Sequence, residues 1–211
     1  MTLKLNGSTS GSVSIDAPAS TTGGADRTLT LPDKTATMSP RMVLEQFYHI
    51  CDGSTIATTA GNITLPNCTG SQTTTQSWVD LTGSSISYQP PTGTTMVIYE
   101  LNFKQQASDS FPIVCYTFYI DSDEITNQRF QIGGQSYIDT LHTFKVGIPI
   151  GGSASTTTGR QASWSSAKTL KLQIESHGSS NDGIVHSNNY WIDGTDPDTF
   201  HQPSIGITAI G

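Results

Sequence analysis

From residue 76 to residue 211 the chain alternates short apolar–polar runs with clusters of Gly, Pro, Asn, Asp and Ser. The plainest run is Thr169-Leu-Lys-Leu-Gln-Ile-Glu175. Leu170, Leu172 and Ile174 fall on one side of an extended chain, and Lys171, Gln173 and Glu175 fall on the other. Period-two alternation of this kind marks a strand with one wet face. The same reading gives strands at 76–81, 85–88, 94–104, 113–121, 127–132, 140–150, 162–164, 169–176 and 204–210, separated by turn formers. That many short strands predict an all-β fold, a jelly-roll-like β-sandwich. Only residues 41–50 offer a helical alternative. Val43, Phe47 and Ile50 are apolar at helical spacing, with Ser39 as an N-cap and Pro40 in the first turn. The all-β character of the rest of the chain favours a strand there.

Residues 1–40 have a different texture. They hold no aromatic residue and two alternating runs, Ser12-Val-Ser-Ile-Asp16 and Arg27-Thr-Leu-Thr-Leu31, the second closed by Pro32-Asp33. Two such strands bury too little apolar area to stand alone. The chain therefore divides into a short N-terminal β attachment and oligomerisation segment, 1–40, and a β-sandwich head, 41–211. Three copies of the chain would supply the missing cover for the segment.

Composition narrows the function. Charged residues make up 13% of the chain, against about 25% in typical soluble domains, and Ser, Thr, Gly and Asn fill the gap. The formal net charge is −7 and no Lys/Arg cluster occurs, so no nucleic-acid partner is expected. The longest apolar stretch, 111–120, is too short for membrane insertion. The start, Met1-Thr2-Leu3-Lys4-Leu5, has no apolar signal core. The expectation is assembly in a host cytoplasm and release by another route, such as lysis. Cys51, Cys68 and Cys115 lack metal-ligand spacing, and their odd number forbids complete pairing within one chain. Cys115 lies in an apolar run and reads as a small buried hydrophobe. Cys51 and Cys68 read as free thiols, with a mutual disulfide as the alternative.

The order Gly11-Ser-Val-Ser-Ile-Asp-Ala-Pro-Ala-Ser-Thr-Thr-Gly-Gly-Ala-Asp-Arg-Thr-Leu-Thr-Leu-Pro-Asp33 resembles a segment of tail-fibre and virion structural proteins of marine, cyanophage-like bacteriophages. The C-terminal Pro203-Ser-Ile-Gly-Ile-Thr-Ala-Ile-Gly211 is loosely similar to trimeric jelly-roll heads of the tumour-necrosis-factor type. These resemblances imply a virion surface protein, of fibre or spike type, trimeric and in contact with a host. They fix no functional residues.

No His-x-His, His-Glu-x-x-His, Gly-x-Ser-x-Gly or phosphate-binding Gly-rich loop occurs. The chain is read as no enzyme, with no cofactor and no metal site. Asp193-Gly-Thr-Asp196-Pro-Asp198 and Asp121-Ser-Asp123-Glu124 read first as turns, with Ca²⁺ binding as the alternative. The candidate binding residues are Asn188, Asn189, Tyr190, Trp191 and Asp193, a mix of aromatic faces, amides and a carboxylate that suits a glycan or a protein. The alternative is that Trp191 plugs one end of the sandwich. Trp78 and Trp164 read as core or subunit-interface residues. The expected partners are other copies of the chain, as a homotrimer, other virion proteins through residues 1–40, and a host-surface glycan or protein. Capsid decoration and a carbohydrate-binding module are the alternative functions.

Overall fold

The computed structural model describes residues 2–6, 12–16, 42–107, 111–135, 138–190 and 198–211. The chain divides into two compact units, Met1–Ser39 and Pro40–Gly211. In the first, β1 (Thr2–Asn6) and β2 (Ser12–Asp16) pair antiparallel, from Thr2 opposite Asp16 to Asn6 opposite Ser12. The expected strand at 27–31 lies outside the described residues.

The second unit is built from β3 (Val43–Ile50), β4 (Thr55–Thr58), β5 (Gly61–Thr64), β6 (Gln72–Thr73), β7 (Val79–Asp80), β8 (Ile86–Tyr88), β9 (Met96–Ala107), β10 (Ile113–Ile120), β11 (Asp123–Gly133), β12 (Thr140–Pro149), β13 (Lys168–Ser176), β14 (Gly183–Val185), β15 (Ser187–Asn189), β16 (Asp198–Phe200) and β17 (Ser204–Ile210). Among the described residues there is no helix. One sheet runs β3-β17-β9-β12, with β14 and β6 continuing beside the second half of β9. The other runs β11-β10-β13, with β7 and β8 sharing the far edge of β13. Counting β7 and β8 as one position gives eight positions in chain order. One sheet then reads 1-8-3-6 and the other 2-7-4-5, the double Greek key of a jelly roll.

Alternation builds the core between the sheets. Val97, Tyr99, Leu101 and Phe103 of β9 and Val114, Tyr116, Phe118 and Ile120 of β10 all point inward, as do Leu170, Leu172 and Ile174 of β13 and Ile205 and Ile207 of β17. Their rings pack obliquely, Tyr99 against Phe118 at 5.3 Å and Phe118 against Phe144 at 5.4 Å between centroids. The buried phenols keep partners, as burial demands. Tyr99 donates to the Ser84 carbonyl at 2.7 Å, and Tyr116 donates to Gln105 Oε1 at 2.6 Å.

The strand favoured at 41–50 forms over 43–50, because Phe47 packs on the core while its neighbours on both sides stay exposed. Other expectations shift. β11 starts at Asp123 rather than 127. Asp121 adopts a φ of +56° in a two-residue hairpin loop, a conformation Asp tolerates, and its carboxylate accepts the Thr169 N–H at 2.8 Å. The expected strand at 76–81 shrinks to Val79–Asp80. Residues 162–164 make no strand, yet Trp164 is buried from a loop, its indole N–H donating to the Tyr88 carbonyl at 3.2 Å. Cys115 is not a core residue. It points out of β10, half-buried, between Gln131 and Glu175.

Candidate recognition surfaces

The loop region singled out by composition is held by its own sheet. β15 and β16 pair from Ser187 opposite Phe200 to Asn189 opposite Asp198. Asn188 Oδ1 accepts from Lys104 Nζ, and Asn188 Nδ2 donates to Thr199 Oγ1 at 3.3 Å. Gln106 Nε2 donates to Asn189 Oδ1 and Asp198 Oδ1, both at 2.7 Å, while Asp139 accepts the Asn189 backbone N–H at 2.5 Å. The two amides thus tie the ribbon to β9. Tyr190 stands 54% exposed beside them, and Trp191 and Asp193 lie outside the described residues. Beneath the ribbon, His186 is fully buried at φ +61°. Its Nε2 faces the Thr82 carbonyl at 2.8 Å. A carbonyl only accepts, so Nε2 carries the proton and Nδ1 is left without a partner. Burial pulls its pKa down to about 4, and nearby His201 adds to the effect.

A second surface was not legible in the sequence. On the outer face of the β10–β13 sheet a groove of about 690 Å³ is lined by Trp78, Cys115, Tyr119, Glu124, Arg129 and Gln131, among others. Pairing register explains the set. Cys115 lies between Gln131 of β11 and Glu175 of β13; Tyr119 lies between Glu124 and Lys171. Trp78 immediately precedes β7, whose Val79 pairs with Ile174. It is 44% exposed, so core burial does not account for it. The charges here are already paired. Arg129 grips Glu124 through two nitrogens at 2.6 and 2.7 Å, and Thr117 adds a third bond at 2.6 Å. Those bonds hold the Glu124 pKa down to about 2. Lys171 sits on Asp80 at 2.8 Å and lies 5.8 Å from the Tyr119 ring centroid.

The third surface is the β3 edge. β3 pairs only with β17 among the described strands. Met42, Val43, Leu44, Tyr48 and Ile50 are all exposed, Val43 by 56% and Ile50 by 52%. On the outer side Tyr48 lies across Gly206, where an added Cβ would collide with its ring. A glycine at that point lets the ring lie flat on the sheet.

Among the described residues no group of three or more His, Cys, Asp or Glu side chains could hold a metal ion. Cys51 and Cys68 are buried free thiols. Burial, with Cys68 nearby, pushes the Cys51 thiol up to about 12, far from a nucleophile's range.

No protein-family model matches the chain, and no curated protein is similar to it. Among solved structures, a chain of the infectious bursal disease virus Gx strain is similar at 13% identity and a TM-score of 0.37. The match covers 88% of this chain and 46% of the viral one. A chain of the infectious bursal disease virus VP2 subviral particle is similar at 12% identity and a TM-score of 0.36, over 94% of this chain and 50% of that one. The chain thus spans about half the length of the viral chains it matches. At such scores the likeness carries no weight on family or function, and the jelly roll rests on this chain's own strand order.

Proposed function

We propose that this chain is a structural protein of a virion surface, of fibre or spike type, which trimerises and works by assembly and host contact rather than by catalysis. The observation that carries the reading is the β3 edge. An exposed strand edge next to five exposed apolar side chains is a surface that soluble monomers normally blunt or cover. Its occupant in this reading is a second copy of the chain, and three copies close the ring. The pairing of β1 with β2 supports it, since two strands are marginal in water without further cover. The order of residues 11–33 supports attachment to a virion through residues 1–40.

Light scattering on the purified chain at micromolar concentration tests the assembly. The expected result is three times the chain mass, falling to a monomer in Ile50→Lys. A wild-type monomer overturns it. Deleting residues 1–40 should leave the sandwich folded but remove it from particles. Normal incorporation of the truncated chain would refute the attachment role. Antibody labelling of particles in the electron microscope separates a fibre or spike from a capsid-decorating protein.

A further inference from the structure

We infer that the outer face of the β10–β13 sheet binds a neutral oligosaccharide in the groove between Trp78 and Tyr119. The inference goes beyond the virion reading and does not depend on it.

The groove has the size of a ligand site, about 690 Å³, within the usual range for small-ligand pockets. Its rings sit on separate strands. Trp78 precedes β7 at one edge, and Tyr119 lies on β10. Four strands lie between Trp78 and Gln131, inclusive of their own, so the row spans roughly 14 Å at the usual strand spacing. Tyr119 stands off that row, four residues along β10 from Cys115, so an extended ligand that meets both rings runs diagonally over the strands. A compact group held in an aromatic cage would need rings that converge on one point.

Charge decides the class. Each cation on this face is already engaged: Arg129 by Glu124, Lys171 by Asp80. An anionic ligand would have to break one of these pairs. It would also face Glu175, which lies beside Cys115 and has no ion pair among the described residues, in a chain of net charge −7. What the groove offers a ligand is the Trp78 and Tyr119 rings and the Gln131 amide, with the Glu175 carboxylate in register beside Cys115. Apolar C–H faces for the rings, and hydroxyls that both donate and accept for the amide and carboxylate, occur together on a neutral sugar. Trp78 is the anchor because its indole is large and 44% exposed, which leaves a ring face for a ligand.

The test is calorimetric titration of the full chain with maltohexaose, cellohexaose and mannohexaose, one at a time, and separately with choline and a heparin fragment. Saturable binding of at least one of the three hexose oligomers is expected. It should weaken about tenfold or more in Trp78→Ala and again in Tyr119→Ala, with unchanged melting temperatures. No saturable binding of any of the three, or binding that both variants retain, overturns the proposal. Binding of choline or heparin alone also overturns it, by assigning the groove to a cation or an anion.

Discussion

Acid should unfold this protein partly through one buried imidazole. His186 is fully buried, neutral, and protonated on Nε2 toward the Thr82 carbonyl, with Nδ1 unpartnered. A second proton would place a charge and an unpaired N–H in the core, beside the Phe103 ring and near His201. The folded pKa, about 4, is therefore below the value near 6.5 that the unfolded chain has. Above pH 6.5 both states are neutral and the group contributes nothing to pH dependence. As pH falls through 6.5 the unfolded chain takes up the proton first, so stability is lost until the native state also protonates near pH 4. At about 1.4 kcal/mol per pH unit the full loss is about 3 kcal/mol, of which about 2 kcal/mol has gone by pH 5. Most carboxylates are still ionised in both states at pH 5, which isolates the histidines. Burial also lowers the pKa of His142 and His201, so wild-type chain alone does not single out His186. His186→Asn does, because Asn tolerates positive φ and carries no group that titrates in this range. Urea unfolding at pH 7.5 and pH 5.0 should show the variant losing about 2 kcal/mol less than wild type between the two. An equal loss in both proteins would refute the reasoning.

The packing sets two further outcomes. Trp164→Ala should cost about 3–5 kcal/mol in urea unfolding, since the indole is buried against Tyr88 and bonded to its carbonyl, whereas the exposed Trp78→Ala should cost within about 0.5 kcal/mol. Gly183→Ala should lower the melting temperature, at a cost of about 1–3 kcal/mol, because its Cβ would stand 2.7 Å from Val114 Cγ2 in the core.

The sandwich was legible wherever apolar and polar residues alternate. β13 and β17 fall at or within a residue of the expected ranges, because one face of each is dry and the other partly wet. The short strands β4, β5, β6, β14, β15 and β16 were missed. Two to four residues drawn largely from Thr, Gly, Asn and Ser carry little contrast between faces. In Ile-Val-Cys-Tyr-Thr-Phe-Tyr-Ile of β10 every residue but Thr117 is apolar or aromatic, so the pattern cannot tell inside from outside. Only the neighbours Gln131 and Glu175 put Cys115 on the outer face. The candidate loop was found by its composition, but its asparagines are engaged by Lys104, Gln106 and Asp139, which lie about 50 to 85 residues away in sequence. The groove had no signature at all. Trp78, Tyr119, Glu124, Arg129 and Gln131 come together through strand order, which no short window of sequence contains.

Strand order also makes the two proposals separable. β3 ends the sheet that contains β17, β9 and β12, while the groove lies on β10, β11 and β13 of the opposite sheet, on the side away from the core. A copy of the chain that docks along the β3 edge extends the first sheet sideways, and the whole core stands between that sheet and the groove. A neighbour in that place leaves Trp78 and Tyr119 of the chain whose edge it covers open to a ligand, and a trimer of the proposed kind would present three grooves. Sugar contacts weak in one site then gain from simultaneous engagement of several. Ile50→Lys should lower the apparent affinity for a surface that displays many copies of the sugar, while affinity for the free oligosaccharide stays as it was. Loss of both together would mean that the groove is completed by a neighbouring chain, and that the two surfaces are one.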